Sequence, residues 1–434
     1  MRATPLPTKT SSDIGTLPHR SPFDKTAQHA AKRDAILSEA SRLFNSKGAR
    51  ATTLADVAAT LGLTKTSLYY YVKTKEDLIF QCYAATLERV MRKIHDIKAQ
   101  HQSPTDQIKA YIASHFEAIR QAKQGEGNHV AALLEIASLK AEKRTSIEQS
   151  YITMFKALRD IIQAGIDQGE FRPVRTTTAT RAIIGALDWS FYWLEPVPND
   201  EIPELAEAAA SILLHGVANT HSRSAPDYRY AELTPVSRAG FDRDAQNKLK
   251  QEAFLKAGTR FFNRKGFSGT SLDEIAEFLN VSKGAFYYHI KSKDELLYQC
   301  YQHSLDLVED LSKRLSEKPL NGLDKVVHAC YQQFWLQNSE EGPLMRYNTI
   351  TALTEEHRKP ILRRTRAANR KMRDCLELGI KDQSIRNINT LVAENLIAGA
   401  VNAAMELRAW RPIDDINQTA IEYFDPLIDG LANT

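Results

Sequence analysis

Long apolar stretches are missing from this 434-residue sequence. No segment approaches the roughly 18 apolar residues that a membrane-spanning helix requires, so we expect no membrane partner. Residues 1–25 are rich in Thr, Ser and Pro and lack the apolar core of a secretion signal. We interpret them as a disordered tail and expect a soluble, cytoplasmic protein.

Cysteine is scarce as well, and the four cysteines are scattered without a CxxC pair or a nearby set of histidines. This spacing argues against a disulfide framework and against a structural zinc site. The sequence also lacks the HExxH, G-x-S-x-G, P-loop and Gly-rich dinucleotide motifs. We therefore expect no catalytic activity, no cofactor and no metal. The net charge of +4 is too small to decide for or against a nucleic-acid partner.

What the sequence does contain is an internal repeat. The segment 44–48 (FNSKG) recurs at 262–266 (FNRKG), an offset of 218 (266 minus 48) that persists without a gap over about 40 residues. A weaker similarity follows at an offset of 214, as in Gly165 and Gly379 (379 minus 165). Duplication of one unit explains this register, whereas similar composition alone does not.

The repeat divides the chain into two units. Each unit begins with a module of short helical segments, and a longer region follows in which apolar residues recur at the three- and four-residue spacing of amphipathic helices. We therefore predict an all-α protein. The predicted boundaries are a tail at 1–25, modules at 26–80 and 246–298, helical bundles at 81–215 and 299–434, and a linker at 216–245.

Each module is predicted to hold two helices joined by a tight turn. Gly48 is placed to end the long first helix with a left-handed cap. The segments Thr53–Asp56 and Ser271–Glu274 have the pattern of a capping box and predict the start of the next helix. Gly62 and Asn280 follow that helix, and Gly and Asn are the residues that most readily adopt a positive φ. A tight interhelical turn is therefore expected at both positions.

The helix after the turn is predicted to be short and polar, about seven residues long. Thr64 and Ser282 are placed to cap it, and small residues follow each cap. Helix-turn-helix geometry of this kind lets a recognition helix enter the major groove, since small side chains allow its backbone to approach the bases.

At this point the sequence becomes similar to a known family. The segment Val281–Lys293 (VSKGAFYYHIKSK) resembles the signature of the tetracycline-repressor (TetR) family, and the first module matches it with Thr66 in place of Gly and Tyr71 in place of His. The resemblance implies phosphate contacts from the lysines and tyrosines, and base contacts from residues 64–67 and 282–285. The implied DNA-binding residues are Thr52, Thr53, Thr64, Lys65, Thr66, Ser67, Tyr69, Tyr70 and Lys75 in the first module, and Thr270, Ser271, Ser282, Lys283, Gly284, Ala285, Tyr287, Tyr288, His289 and Lys293 in the second. Tyr69 and Tyr287 also fit a packing position between helices.

The bundles offer candidates for pairing and for ligand binding. Residues 183–196 resemble the penultimate helix of TetR-type sensing domains, which in that family pairs with its twin in a four-helix bundle. The candidate pairing residues are Gly185, Trp189, Gly399 and Asn402, although glycine in an apolar helix also fits ordinary core packing. The candidate pocket residues are Tyr111, Phe116, Leu133, Phe155, Phe191 and Tyr192 in the first bundle, and Phe334, Trp335, Met345 and Tyr347 in the second; all of them also fit the core.

We therefore hypothesise a TetR-like transcriptional repressor whose two units form an intramolecular pseudo-dimer on a near-palindromic, double-stranded DNA operator. A small hydrophobic or amphipathic effector is expected to release it. A further homodimer of the whole chain stays open. Two other functions stay open as well: an architectural DNA-binding protein without ligand control, and an enzyme or carrier with a vestigial module.

Overall fold

A computed structural model describes residues 25–133, 136, 139–219, 243–339 and 342–433. The predicted tail and most of the predicted linker lie outside these residues. Within them the chain is helical and has no named strand, which confirms the all-α prediction. We refer to residues 25–219 as unit 1 and to residues 243–433 as unit 2.

The two units repeat one order of helices. Unit 1 contains α1 Lys25–Ala51, α2 Leu54–Thr60, α3 Lys65–Tyr69, α4 Lys75–Gln100, α5 Pro104–Gln124, α6 Ala141–Asp167, α7 Thr176–Asp188, α8 Ser190–Trp193 and α9 Ile202–His215. Unit 2 contains α10 Arg243–Gly269, α11 Leu272–Phe278, α12 Lys283–His289, α13 Lys293–Ser316, α14 Gly322–Asn338, α15 Glu355–Lys381, α16 Thr390–Ala403 and α17 Ile416–Ile428. It also contains the 3₁₀ segments Tyr347–Ala352 and Ala404–Ala409. Module 1 is α1–α3, module 2 is α10–α12, and bundles 1 and 2 are the remaining helices of each unit.

Local chemistry sets the helix boundaries in the modules. Gly62 (φ 63°) and Asn280 (φ 53°) both adopt the positive φ predicted for the turn. Thr53 and Asp56 form the predicted capping box, with Thr53 N donating to Asp56 Oδ2 at 2.7 Å and Asp56 N donating to Thr53 Oγ1 at 3.1 Å. The equivalent Ser271 makes no side-chain cap, so the box predicted in module 2 is wrong.

The long first helix of each module breaks at a glycine. Gly48 (φ 80°, ψ 156°) and Gly266 (φ 68°, ψ 178°) have positive φ but an extended ψ. The helix is interrupted at Gly48, where its end was predicted, but the left-handed cap predicted there is wrong, because ψ lies outside the left-handed helical region. A side chain at either position would be strained, because φ is positive.

The two bundles pack against each other through their last helices. The closest contact is between α7 and α16, where Gly185 and Gly399 face one another. A Cβ on Gly399 would lie 2.5 Å from Gly185 O, and a Cβ on Gly185 would collide with the Ala403 methyl group. Helices α9 and α17 flank this contact and complete a four-helix arrangement. The absence of side chains at both glycines is what allows the two backbones to approach so closely.

Two equivalent clasps tie the units together. Arg172 Nε of unit 1 donates to Gly430 O at 3.1 Å, and Arg386 Nε of unit 2 donates to Gly216 O at 3.0 Å. Arg386 is the equivalent of Arg172, and Gly430 is the equivalent of Gly216, both at the offset of 214 (386 minus 172, and 430 minus 216). Each unit therefore holds the segment that follows the other unit's last helix.

The second clasp includes residues that the sequence placed in the linker. Ala218 forms an isolated antiparallel bridge with Ile385, and Asn219 N donates to Ser384 O at 3.0 Å. Residues 216–219 are thus bound to unit 2. Nothing in their own composition indicates this, because their backbone groups are satisfied by a partner about 170 residues further along the chain.

Candidate nucleic-acid interface

Helices α3 and α12 present one exposed face each. Residues 64–67 and 282–285 are all exposed, and beyond them Tyr70 and Tyr288 are 76% and 80% exposed. Leu68 and Phe286 lie on the opposite side and are buried, which anchors each short helix to its module. Thr64 Oγ1 accepts from Ser67 N at 3.1 Å and Ser282 Oγ accepts from Ala285 N at 3.2 Å, as predicted for these caps. The same face is therefore presented in both modules.

Tyr69 and Tyr287, the first tyrosine of each pair, are about half exposed, at 44% and 43%. Their rings therefore combine packing with access to solvent. Lys65 Nζ lies 5.7 Å from the centroid of the Tyr69 ring. In module 2, His289 is partly buried, and its ring packs 5.6 Å from the Phe254 ring. It is therefore less accessible than the two tyrosines that precede it.

An acidic residue distinguishes the two recognition helices. In module 2, Lys283 Nζ lies 2.6 Å from Asp273 Oδ2, and the Tyr287 hydroxyl donates to Asp273 Oδ1 at 3.1 Å. The ammonium holds the pKa of the Asp273 carboxyl below its usual range, and the carboxylate raises the pKa of Lys283. The equivalent of Asp273 in module 1 is Ala55 (273 minus 218). Lys65 therefore has no carboxylate at that position.

The lysines predicted to contact phosphates begin the next helix of each unit. Lys75 and Lys293 are partly buried, and the preceding Thr74 and Ser292 cap α4 and α13. Lys293 Nζ donates to Thr270 O at 3.0 Å and lies 4.5 Å from the centroid of the Phe267 ring. Its ammonium is thus held at the edge of module 2, close to the first turn of α13.

Two of the predicted DNA contacts point inward. Thr52 and Thr270 are 1% and 3% exposed, and their hydroxyls donate to Gly48 O at 2.9 Å and to Gly266 O at 2.7 Å. The break in each long helix frees these carbonyls, and the threonines satisfy them. Neither side chain reaches the surface, so the prediction of side-chain DNA contacts is corrected at these two positions. Thr53 is exposed and Ser271 is partly exposed.

The pocket residues predicted in bundle 1 separate into two groups. Leu133, Phe155 and Tyr192 line a cavity of about 1100 Å³. Tyr111 is buried in the core, Phe116 lies at the base of a groove between α5 and α9, and Phe191 packs against the His115 ring at 5.5 Å. The aromatic spacing alone did not distinguish these environments, because core and pocket positions share the same helical period.

Bundle 2 shows a similar division. Met345 and Tyr347 line a cavity of about 830 Å³ among α13–α16. Phe334 is fully buried and packs 5.1 Å from the Tyr423 ring, and Trp335 packs against the core. Glu394, which the sequence did not single out, also lines this cavity, and Arg373 Nε donates to its Oε2 at 2.8 Å.

The predicted pairing residues lie at or near the contact between α7 and α16. Gly185 and Gly399 form its centre, and Trp189 Nε1 donates to Asn395 Oδ1 at 3.3 Å. Asn402 instead accepts a hydrogen bond from Tyr347 N at 2.8 Å, and so supports the 3₁₀ segment of unit 2. Across the described ranges we find neither a cluster of His, Cys, Asp and Glu able to hold a metal nor a helix long and apolar enough to cross a membrane.

Comparison with known proteins identifies the modules. The family described as "Bacterial regulatory proteins, tetR family" matches twice, at residues 36–82 and 254–300. The family described as "Tetracyclin repressor-like, C-terminal domain" matches residues 101–217. Both matches to the first family include α2 and α3 or their equivalents α11 and α12.

Individual relatives correspond to about half of this chain or less. The HTH-type transcriptional repressor KstR2 of Rhodococcus jostii (strain RHA1) is 26% identical over 206 residues, which are 46% of this chain and 98% of the relative. The HTH-type transcriptional regulator YfiR of Bacillus subtilis (strain 168) is 31% identical over 151 residues, 35% of this chain and 73% of the relative. The solved structure of the TetR family regulator PfmR from Thermus thermophilus is 27% identical, covers 41% of this chain and 95% of its own, and gives a TM-score of 0.35. One relative thus spans one unit, and this chain belongs to the TetR family of DNA-binding transcriptional regulators, with the DNA-binding domain of that family present twice.

Proposed function

We propose that this chain is a repressor that binds its operator as an intramolecular pseudo-dimer and is released by a small hydrophobic or amphipathic effector. The observation that carries the proposal is the pair of equivalent clasps, Arg172 to Gly430 O and Arg386 to Gly216 O, on either side of the contact between α7 and α16. Helix-turn-helix proteins read DNA as two-fold pairs, and a two-fold relation between the units gives one chain both halves of such a pair.

The exposed faces of α3 and α12 support a role in binding the operator. Their caps and tyrosines correspond between the units, but the residues after each cap differ, Lys-Thr-Ser in module 1 and Lys-Gly-Ala in module 2. Because side chains at the start of a recognition helix contact base edges, the two half-sites are expected to be related but not identical. The tyrosines and lysines around them supply phosphate contacts, which give affinity without sequence preference.

The repressor assignment and the effector rest on the family and on the cavities. KstR2, which matches one unit, is a transcriptional repressor. The cavities of about 830 and 1100 Å³ have the size of small-molecule sites, and aromatic and aliphatic side chains line them together with many polar and charged groups. A ligand there favours release if it binds more tightly to the conformation in which the modules do not fit DNA.

Mass measurement combined with footprinting tests the pseudo-dimer. DNA selected from a random pool with the intact chain provides the probe, and light scattering after gel filtration gives the mass of the free protein and of the complex. We expect one chain of 48.9 kDa to protect two half-sites about one duplex turn apart. A complex that needs two chains, or protection of a single half-site per chain, contradicts the pseudo-dimer. Uniform protection without preferred sequence favours an architectural DNA-binding protein.

A further inference from the structure

The two units differ where a module approaches the opposite bundle. Gly48 of module 1 packs tightly on unit 2, since a Cβ there would collide with Thr351 Oγ1 in the 3₁₀ segment Tyr347–Ala352. Gly266, its equivalent in module 2, has no atom of the described residues within 4 Å of the position that a Cβ would occupy. Among these residues, the two glycines therefore differ in their contacts with the opposite unit.

Gly266 borders the cavity of about 1100 Å³. Gly266 and its neighbours at the end of α10 form one wall, and α6 and α7 of bundle 1 form another. Leu133 and Ile136 also line it, and they correspond to Tyr347 and Ile350 of the 3₁₀ segment (347 minus 133 and 350 minus 136 are both 214).

Cations dominate the charged lining of this cavity. Among the residues that the structure describes, six cationic side chains line it against two carboxylates, Glu148 and Asp188. The six are Lys156, Arg159, Arg181, Arg260, Arg264 and Arg346. They come from bundle 1, from module 2 and from the start of the 3₁₀ region of unit 2, so they converge from separate elements rather than from one helix face. An anion inside this space is attracted by charges on several sides.

Aromatic rings form part of the remaining lining. Phe155 and Trp410 stack with their ring centroids 3.8 Å apart, and Trp189 and Tyr192 form a second aromatic pair at 5.0 Å. The Tyr192 hydroxyl oxygen is enclosed and has no hydrogen-bond partner in the part of the chain that the structure describes. Because a buried hydroxyl without a partner is costly, a ligand that accepts from Tyr192 stabilises the folded chain.

We propose that this cavity binds one anionic amphipathic ligand per chain, a molecule that carries a carboxylate, sulfonate or phosphate beside an aromatic ring or acyl chain. The inference deepens the proposed function and rests on it for its regulatory consequence. Arg260 and Arg264 lie on α10, which packs against α11, and α11 packs against the recognition helix α12. A ligand between bundle 1 and α10 therefore acts on the position of module 2, whereas module 1 is held by its packed contact.

Two fluorescent dyes of matched shape test the chemistry of the site. Anilinonaphthalene sulfonate carries an anionic group, and phenylnaphthylamine is its neutral counterpart. The test variant is Arg159→Gln with Arg264→Gln, two partly or fully exposed positions on the cavity wall. The control variant is Arg363→Gln with Arg370→Gln on the exposed face of α15, which makes the same change in net charge outside this cavity. Circular dichroism confirms that both variants fold.

We expect the test variant to bind the anionic dye about tenfold or more weakly at one site per chain, because two charge-assisted contacts are lost. Its affinity for the neutral dye and the affinity of the control variant for either dye should stay within about twofold of the unmodified chain. The proposal is overturned if the test and control variants lose the same affinity for the anionic dye, or if the test variant binds the anionic dye as tightly as the unmodified chain.

The regulatory consequence is measured separately from ligand binding. Dye titrations contain no DNA, so failure of the chain to bind an operator leaves their outcome intact and refutes only the proposed function. Footprinting of the selected operator is then repeated with saturating anionic dye. We expect protection of the module 2 half-site to weaken before that of module 1. Equal weakening of both half-sites overturns the assignment of the ligand's effect to module 2.

Discussion

A single carboxylate makes the recognition surface of module 2 chemically different from that of module 1. Asp273 holds both Lys283 and Tyr287, whereas module 1 has Ala55 at the same position. We expect Asp273→Ala to tighten DNA binding and to steepen the salt dependence of log K by about one, since Lys283 becomes free to neutralise a phosphate. The reciprocal change Ala55→Asp should weaken binding and flatten the slope by about one. Fluorescence anisotropy on a selected duplex across a salt series measures both.

Asp160→Ala is a suitable control for Asp273→Ala, because Asp160 is exposed in α6 and its removal makes the same change in net charge. Its salt slope should equal that of the unmodified chain. The role assigned to Asp273 is refuted if the Asp273→Ala and Ala55→Asp variants change the DNA affinity in the same direction. It is also refuted if neither variant alters the salt slope. Thermal unfolding in the absence of DNA distinguishes a loss of folding from a loss of contact.

His115 makes the stability of the folded chain depend on pH. Its Nε2 lies 2.8 Å from Ser190 Oγ and 3.1 Å from Leu187 O, and desolvation lowers its pKa to about 4. Between that value and the ordinary value of 6.5, the unfolded chain binds a proton that the folded chain does not. The stability contributed here is thus complete above pH 6.5 and falls as the pH drops toward 4, by at most about 3 kcal/mol.

Urea unfolding at pH values through this window measures the effect. The variant His115→Asn cannot take up the proton, so its free energy of unfolding should fall less steeply with decreasing pH than that of the unmodified chain. His95→Asn, at an exposed position of α4, serves as the matched control. Identical pH profiles for the unmodified chain and the His115→Asn variant contradict the argument.

At the scale of helices, the contact between α7 and α16 depends on two glycines. Gly399→Ala places a Cβ 2.5 Å from Gly185 O, so the helices must separate and the surrounding core loses contacts. We expect a destabilisation of about 1–3 kcal/mol, seen as a lower melting temperature. Gly284→Ala is the control, because its Cβ meets no atom within 4 Å and alanine favours a helix. A melting temperature that falls equally in both variants shows that the close approach of α7 and α16 is not what Gly399 provides.

The helices were largely predictable because their signals are local. The caps at Thr64 and Ser282 and the positive φ of Gly62 and Asn280 follow from residue chemistry within one turn. Failures occur where a distant partner decides. Residues 216–219, the start of the linker predicted at 216–245, are bound by unit 2, and no pattern within those four residues encodes that contact. Burial of Thr52 likewise follows from the helix break, which places its hydroxyl against Gly48 O.

The candidate site shows the same division between local and distant causes. Repeat register and residue type were enough to predict the exposed faces of α3 and α12. The cationic cavity was not predicted, because Arg159 and Arg264 lie more than a hundred residues apart and belong to different units. Only the packing of one unit on the other brings such residues together.

The proposed two-fold relation between the units makes a prediction for the whole molecule. Arg172→Ala and Arg386→Ala each remove the donor from a carbonyl that follows the last helix of the other unit. Arg172 also forms an ion pair with Asp425 at 2.8 Å, so its loss should cost somewhat more than the about 1–3 kcal/mol expected for an unsatisfied carbonyl.

The double variant is the sharper measurement, because the clasps lie on opposite sides of one interface and both resist the same separation. If the units form a two-fold pair, each single variant should leave the chain compact, while the double variant should expand it, as a larger radius of gyration in X-ray scattering. Arg363→Ala with Arg370→Ala, both on the exposed face of α15, controls for the loss of two arginines. Expansion in only one of the single variants would mean that one clasp alone holds the units together. The two clasps would then not contribute equally to the contact between the units.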